Sequence, residues 1–224
     1  MSSESITFST EAGRRRLLLT LKKYSYLIAM IPLVLPPLLL AVGESTGLVN
    51  AFSWGVPVVV FGIIPLLDLM LGKDALNPDE QSDVPRLNQE KYYRAVTLIW
   101  VVAYAALLGW GVWVLASGVF SLVGALGWVV SIGIVGGLGI NVAHELGHRF
   151  SRLDRGLARV LLGTTLYVHF IIEHNRGHHR RVGTRADPAT ARRGEMLPVF
   201  ITRSLVLGWL SAWRLEAERL SRLG

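Results

Sequence analysis

The sequence has 224 residues, of which 51% are hydrophobic and only 17% charged, and its mean hydropathy is positive at +0.44. These values indicate an integral membrane protein rather than a soluble domain. There is no cysteine, which excludes disulfides, zinc–thiolate clusters and cysteine nucleophiles and leaves only nitrogen and oxygen ligands for a metal. The net charge of +7 comes from basic residues that flank apolar segments, so membrane topology explains it better than nucleic acid binding.

Four apolar stretches are long enough to cross a membrane, whose hydrocarbon core of roughly 30 Å requires about 20 helical residues. Pro32, Pro36 and Pro37 predict a kink in the first stretch. Glycines in the fourth stretch, among them Gly133 and Gly137, predict close approach of a neighbouring helix. The predicted spans cover residues 24–42, 51–71, 95–116 and 119–143.

The distribution of basic residues predicts the orientation of these spans. Of the 23 lysines and arginines, five precede the first span, four lie between the second and third, and fourteen follow the fourth. The two remaining loops carry none, and basic residues accumulate on the cytoplasmic side of membrane proteins. The N-terminus, the loop at 73–94 and the region after residue 143 are therefore predicted to be cytoplasmic.

Two shorter apolar stretches follow the fourth span. Residues 157–172 would form a helix of about 24 Å, which is short for a membrane crossing and would place the histidines on either side of it on opposite faces of the bilayer. Residues 198–220 end in an amphipathic segment. Both are predicted to be interfacial helices on the cytoplasmic side, and the whole chain is predicted to be one all-α membrane domain.

Five histidines lie within residues 144–179, in two clusters. His144 and His148 are four residues apart and so share one helix face, and His174 and His178 repeat that spacing, with His179 adjacent. Neutral imidazole is a strong metal ligand, and five exceed what one structural zinc requires. The clusters therefore predict a polynuclear metal site. The sixth histidine, His169, lies about 140° from the face of His174 and is predicted to be structural.

The first cluster also matches a zinc peptidase signature. In that signature two histidines like His144 and His148 bind zinc and a glutamate in the place of Glu145 acts as general base. A catalytic zinc takes three protein ligands, whereas here three histidines arrive together in the second cluster. The peptidase remains an alternative at this point.

The two clusters and the residues around them resemble the membrane-bound alkane monooxygenases, which are non-haem di-iron enzymes of the fatty acid desaturase and hydroxylase superfamily. The matching strings are NVAHELGH at 141–148, IEHNRGHH at 172–179 and DPATAR at 187–192, together with PLLD at 65–68 and AWRLE at 212–216. The second cluster has the form HxxxHH, whereas lipid desaturases typically have HxxHH there. A desaturase or hydroxylase acting on lipids is the alternative within the same superfamily.

This resemblance implies terminal hydroxylation of medium-chain n-alkanes to 1-alkanols with O2. The electrons would come from NAD(P)H through a rubredoxin reductase and a rubredoxin, and the protein would lie in the inner membrane of a bacterium with its metal site in the cytoplasm. The cofactor would be two non-haem irons. The metal ligands implied are His144, His148, His174, His178 and His179.

Further candidates surround these ligands, while the catalytic residues themselves stay unknown. Carboxylates and an amide near the histidines could accept a ring N–H and so fix its tautomer, or line the cavity. Apolar and acidic residues of the second span are candidates for a substrate channel. The first group contains Glu145, Glu173, Asp187 and Asn141, and the second contains Val60, Phe61 and Asp68.

The arginines after the fourth span, on the predicted cytoplasmic side, are a candidate surface for an acidic electron donor, with anionic lipid heads as the alternative. They are Arg176, Arg180, Arg181, Arg185, Arg192 and Arg193.

The family pattern includes a third histidine box after two further spans, six spans in all, and the chain 1–224 contains neither. We therefore expect 1–224 to correspond to the N-terminal portion of such an enzyme and to be incompetent as a hydroxylase by itself. A membrane protein without catalysis is the third class of function that this leaves open.

Overall fold

The computed structural model describes residues 3–224 except 73, 75, 80 and 82, and it describes no side chain for residues 3–12, 86 and 88. Lys73, one of the basic residues counted for orientation, is thus outside the described residues. The described part is helical and contains no strand, as predicted. It divides into two compact units, Met1–Val135 and Gly136–Gly224.

The first unit begins with a helical stretch longer than the predicted first span. Helix α1 (Ser3–Ser25) continues through a 3-10 turn (Tyr26–Met30) into α2 (Ile31–Thr46). The segment Gly13–Thr46 contains an apolar window long enough to cross a membrane. The turn ends just before Pro32, whose ring removes one backbone donor and crowds the preceding helical turn. Pro36 and Pro37 lie inside α2 without interrupting it.

The second predicted span, 51–71, is not one helix. A short helix α3 (Val49–Phe52) ends in a turn, after which α4 (Gly55–Val58), a π-helical turn (Val59–Ile63) and α5 (Ile64–Leu71) follow without a break. Gly55–Leu71 is apolar but has only 17 residues, about 26 Å of helix. Pro65 cannot donate a backbone hydrogen bond, and the wider turn lies directly before it. The described residues thus contain three long apolar helices rather than four.

The other two long helices match their predicted positions. Helix α6 (Asp83–Gln89) leads into α7 (Lys91–Ala116), and α8 (Leu122–Gly147) follows after a short loop. Trp128 donates a hydrogen bond of 2.8 Å to the carbonyl of Gly111, which joins α8 to α7.

Close approach to α8 is seen at two glycines near its start, whereas Gly133 and Gly137, named from the sequence, have open space around them in the described part of the chain. A Cβ at Gly127 would lie 2.5 Å from Nε1 of Trp54, and one at Gly124 would lie 3.2 Å from the Cα of Asn50. At Gly133 and Gly137 no described atom lies within 4 Å of such a Cβ. Within the first unit, Gly124 and Gly127 are therefore the glycines of α8 that allow a neighbouring segment to approach closely.

The second unit begins within α8 and continues with helices that the sequence predicted only in part. The predicted single helix 157–172 is wrong, because α9 (Arg152–Thr164) begins earlier and ends at Thr164, and Leu166 then has a φ of 56°. This left-handed conformation costs an L-residue roughly 1 kcal/mol or more, and it redirects the chain into α10 (Phe170–Glu173). A π-helical turn (His174–His178) and α11 (His179–Arg181) follow.

The observed limits of the last helix agree closely with the predicted ones. Helix α12 (Leu197–Ser221) covers the predicted 198–220, and Pro198 in its first turn is placed where a missing donor costs nothing. Helix α10 and the π-helical turn pack against α12. The second unit therefore surrounds the histidine-bearing turn with helices from both sides of it in sequence.

Candidate metal centre

The first histidine pair lies where α8 ends. His144 is in the last turn of the helix, and His148 follows one turn later, with its backbone N–H donating to the carbonyl of His144 at 3.3 Å. Their Nε2 atoms are 3.0 Å apart. The four-residue spacing thus places both rings on one side of the helix end, as predicted.

The second cluster has a different geometry from the predicted one. Because His174–His178 forms a π-helical turn, residues five apart become aligned, and the Nε2 atoms of His174 and His179 are 3.0 Å apart. His174 and His178 instead stack, with ring centroids 5.4 Å apart. The pair that points in one direction is therefore 174/179 rather than 174/178.

The two clusters meet at His174. Its Nε2 lies 2.8 Å from that of His144 and 3.0 Å from that of His148. Together with His179, four ring nitrogens therefore converge on one region of the second unit. His148 and His179 are exposed, whereas His144 and His174 are half-buried.

The nitrogen separations suit a metal ion with ligands at right angles. Bonds of about 2.1 Å at about 90° place adjacent nitrogens about 3.0 Å apart, whereas tetrahedral angles would place them about 3.4 Å apart. The three nitrogens of His144, His148 and His174 are 2.8 to 3.0 Å apart. The donor set fits a metal that favours octahedral geometry better than it fits a tetrahedral zinc.

His174 is prepared to bind as a neutral imidazole. Burial, followed by the neighbouring His144, His179, His148 and His178, lowers the pKa of His174 to about 4. Its lone pair is then free at physiological pH, which metal ligation requires.

His178 has a carboxylate partner on the loop that follows. Its Nδ1 lies 2.8 Å from Oδ2 of Asp187, a side chain with no exposed surface. Burial tends to raise the pKa of Asp187, but hydrogen bonds from Thr190, the Ala189 amide and His178 hold it below its ordinary value. The carboxylate accepts the Nδ1 proton of His178, which leaves Nε2 of that ring as the nitrogen able to bind a metal.

The other two carboxylate candidates bind arginines. Glu145 is exposed and accepts a hydrogen bond from Arg149 at 2.8 Å. Glu173 is buried, and its Oε1 accepts from Arg181 at 2.8 Å. Neither contacts a histidine nitrogen within the described residues, so the structure gives no support to a direct role of either in orienting a ligand.

Arg181 was not singled out for this role from the sequence. Its Nη2 donates to Glu173 and, at 2.8 Å, to Oγ of Ser211 on α12, and its Nε donates to the carbonyl of Gly177 at 3.3 Å. One guanidinium thus joins the start of the π-helical turn, its interior and α12. A glutamate beside apolar residues hints at a buried cation, but the sequence does not say which arginine supplies it.

The remaining candidates lie as follows. His169 precedes α10 and packs its ring against Tyr167, with centroids 4.6 Å apart, outside the converging group. Asn141 and Asp68 are exposed, and Val60 is half-buried. Phe61 exposes 71% of its surface. Val60, Phe61 and Asp68 belong to the first unit, and the described residues show no channel among them.

Comparison with known proteins identifies relatives of this chain. The sequence profile of the fatty acid desaturase family matches residues 121–224. The chain is 41% identical over 209 residues to alkane 1-monooxygenase 2 of Pseudomonas aeruginosa, covering 92% of this chain and 55% of that protein. This chain is homologous to part of the alkane monooxygenases.

Two further alkane monooxygenases extend this comparison. Alkane 1-monooxygenase 1 of Alcanivorax borkumensis is 44% identical over 185 residues, covering 79% of this chain and 45% of that protein. Alkane 1-monooxygenase of Ectopseudomonas oleovorans is 41% identical over 210 residues, covering 91% of this chain and 50% of that protein. The chain spans about half the length of the curated relatives it matches. All five histidines of the alkane monooxygenase motifs fall within the matched region 121–224.

Proposed function

We propose that the protein hydroxylates the terminal methyl group of medium-chain n-alkanes to give 1-alkanols, with O2 as the oxidant. The observation that carries this proposal is the convergence of three histidine nitrogens on that of His174, in a chain whose relatives, at 34 to 44% identity, are named alkane 1-monooxygenases. We propose that residues 1–224 form part of a single membrane oxygenase domain.

The cofactor of this proposal is a pair of non-haem irons. His144, His148, His174 and His179 would hold one part of the site, and His178, whose Nδ1 is taken by Asp187, would offer Nε2 to another. An all-nitrogen donor set without thiolates suits iron that changes redox state, and the nitrogen separations favour octahedral over tetrahedral binding. Bound iron would supply the activation of O2 by electron transfer.

The side chains of this chain would fix where that chemistry takes place. Asp187 holds the ring of His178, and Arg181 holds the turn that carries His174 and His179. An n-alkane has no polar group, so it is recognised by apolar surface alone, and an apolar path excludes water from the reacting carbon. Val60, Phe61 and Asp68 remain our candidates for such a path, and Asn141 for the wall near the metals.

We place the protein in the bacterial inner membrane with its N-terminus and metal site in the cytoplasm. Three long apolar helices support a membrane location, and the distribution of basic residues supports the orientation. We count Gly55–Leu71 as the fourth span, because 17 apolar residues reach across a bilayer that thins or that is flanked by long polar side chains.

The electrons would come from NAD(P)H through rubredoxin reductase and rubredoxin. Arg176 and Arg181 are engaged with Glu216 and Glu173, which makes them weaker candidates for docking an acidic protein. Arg180, Arg185, Arg192 and Arg193 are exposed and remain candidates. Reversing the charge of Arg180 and Arg185 should weaken the dependence of the reduction rate on ionic strength.

A zinc peptidase is not favoured. Its general base would be Glu145, which is bound to Arg149 at the surface instead of facing the histidine nitrogens. A lipid desaturase shares the superfamily profile, but the more similar relatives reported above are alkane 1-monooxygenases.

Product analysis tests the proposal. The full-length protein, supplied with rubredoxin, its reductase and NADH, is incubated with n-octane under isotopically labelled O2. We expect 1-octanol that carries one labelled oxygen, and about two irons per chain by elemental analysis. An octene product would establish desaturation instead, and zinc in place of iron would contradict the oxygenase.

A further inference from the structure

A cavity with an arginine-rich lining lies beside the metal centre. It measures about 550 Å³ and is bordered by the end of α8, the exposed side of α9, the histidine-bearing turn and the last turns of α12. His148 is on its wall. Its charged lining consists of Arg149, Arg155, Arg159, Arg176, Arg219 and Glu216.

Two of these arginines have charges that no described carboxylate neutralises. Glu216 accepts hydrogen bonds from both Arg176 and Arg219, and Arg149 is bound to Glu145. For Arg155 and Arg159 no carboxylate partner is found in the described part of the chain. They are one helical turn apart on α9, so their guanidinium groups lie side by side on the cavity. The excess positive charge of the cavity favours binding of an anion.

Helix α9 also presents an apolar face to its surroundings. Its inner face is buried through Ala158, Leu161 and Leu162, while Leu153 and Val160 on the opposite side expose 61% and 62% of their surfaces. A helix with one buried face, one basic face and one exposed apolar face has the pattern of a helix lying in a membrane interface.

The position of α9 in the chain places it at that interface. Helix α8, which is long and apolar enough to cross a membrane, ends at Gly147, and α9 begins at Arg152. A helix that starts so soon after a span ends lies at the level of the lipid headgroups. Phe150, between the two helices, is 98% exposed.

We propose that this cavity binds the phosphate group of an anionic phospholipid, with Arg155 and Arg159 as its principal ligands. Each guanidinium presents a planar pair of N–H donors that matches two phosphate oxygens. Leu153 and Val160 would contact the acyl region of the same leaflet. Free phosphate carries the same kind of charge but would leave the exposed apolar face of α9 uncovered. Binding of an acidic protein would not require an apolar face there. The inference rests on the proposed membrane placement and is independent of the reaction catalysed.

The experiment is a lipid titration of the full chain in a nonionic detergent. Native mass spectrometry follows the binding of short-chain phosphatidylglycerol, with phosphatidylcholine as the uncharged comparison. We expect phosphatidylglycerol to bind more tightly, and the double variant R155Q/R159Q to bind it about tenfold more weakly or worse. R155K/R159K keeps the charge without the paired donors, and it should lie between the two.

A matched control removes the same charge elsewhere. Arg192 and Arg193 are exposed and lie outside the cavity, so R192Q/R193Q should bind phosphatidylglycerol like the wild type. An equal loss in this control would show diffuse attraction and overturn the proposal. Equal binding of both lipids by the wild type would overturn it as well.

Two further measurements distinguish a lipid from free phosphate and from an acidic protein as the ligand of the cavity. Binding of inorganic phosphate as tightly as phosphatidylglycerol would show that the acyl region contributes nothing and that the site takes free phosphate, which contradicts the lipid. Retention of lipid binding by R155Q/R159Q together with loss of rubredoxin binding would make the cavity a protein docking site. Circular dichroism of each variant confirms that it is folded. Because none of these measurements uses alkane or product, failure of the lipid site is distinguishable from failure of the proposed hydroxylation.

Discussion

His174 is the residue on which the two histidine clusters depend. Its ring lies between those of its neighbours and stacks on Phe170, with centroids 4.9 Å apart, so that its orientation is fixed by packing. His148 and His179 both lie within 3.0 Å of it through their Nε2 atoms and are themselves exposed. Removing His174 therefore removes the common neighbour of the group.

For His174→Ala we expect metal affinity to fall at least about tenfold, and further than for His148→Ala at the exposed edge. The measurement is titration of the purified protein with ferrous iron or cobalt. His169→Ala is the matched control, because that histidine packs on Tyr167 outside the group. A loss in the control as large as that in His174→Ala would show that the effect is general destabilisation.

Asp187 is expected to act through His178. Replacement by Asn keeps the size of the side chain but removes the charge that accepts the Nδ1 proton, and loss of such a partner typically reduces metal affinity about 10- to 100-fold. The control is Glu145→Gln, since that exposed pair with Arg149 should contribute little. Metal titration of both variants tests this role of Asp187, and equal metal affinities in the two would contradict it.

At the scale of elements, the π-helical turn is held from outside by one arginine. Arg181 bridges Glu173 before the turn and Ser211 on α12, and Gly177 inside the turn leaves room for this bridge. A Cβ at Gly177 would lie 2.3 Å from Oε2 of Glu173 and 2.4 Å from Nη2 of Arg181. The absence of a side chain at 177 is thus a condition for the bridge.

We expect Gly177→Ala to displace that bridge, at a cost of roughly 1–3 kcal/mol in the free energy of unfolding, and to weaken metal binding with it. Gly147→Ala offers a control at another helical glycine beside the histidines, where no described atom lies within 4 Å of the new Cβ. Thermal unfolding and metal titration compare the two. Should both variants lose affinity alike, the clearance at Gly177 has no special importance.

The same elements show what the sequence could and could not predict. Spacing placed His144 and His148 together because α8 is a regular helix to its end. The same spacing rule failed for His174 and His178, because nothing in the amino-acid sequence signals a π-helical turn. The break at Leu166 was missed because an apolar residue there gives no sign of a positive φ. Arg181 and Ser211 meet across thirty residues of chain, a pairing that only packing determines.

At the scale of the whole molecule, the number of crossings decides which sides its loops face. Four crossings would return the chain to the side on which it began, whereas three would leave the histidines on the other side. Helix Gly55–Leu71 is the element on which this depends, because it is apolar but shorter than the other three. The orientation predicted from basic residues requires that it cross.

The chain contains no cysteine, so single cysteines report their side of the membrane without interference. We expect a thiol reagent that does not cross the membrane to label Ser117→Cys from the periplasm and to leave Arg193→Cys unlabelled in intact cells. Thr46→Cys, at the end of the first long helix, is the periplasmic control. Protection of Ser117→Cys with labelling of Arg193→Cys would establish three crossings instead.

The π-helical turn at His174–His178 also bears on how histidine motifs are compared. A π-helical turn takes one more residue into a helix without moving the residues at its two ends. HxxHH and HxxxHH differ by one such residue, so a regular turn in the shorter motif and a wide turn in the longer one would present the first and last histidines in the same register. Insertion of a residue would then preserve the outer pair, with the middle histidine next to the last one in both motifs. Motif length alone therefore does not measure the geometry of the ligands.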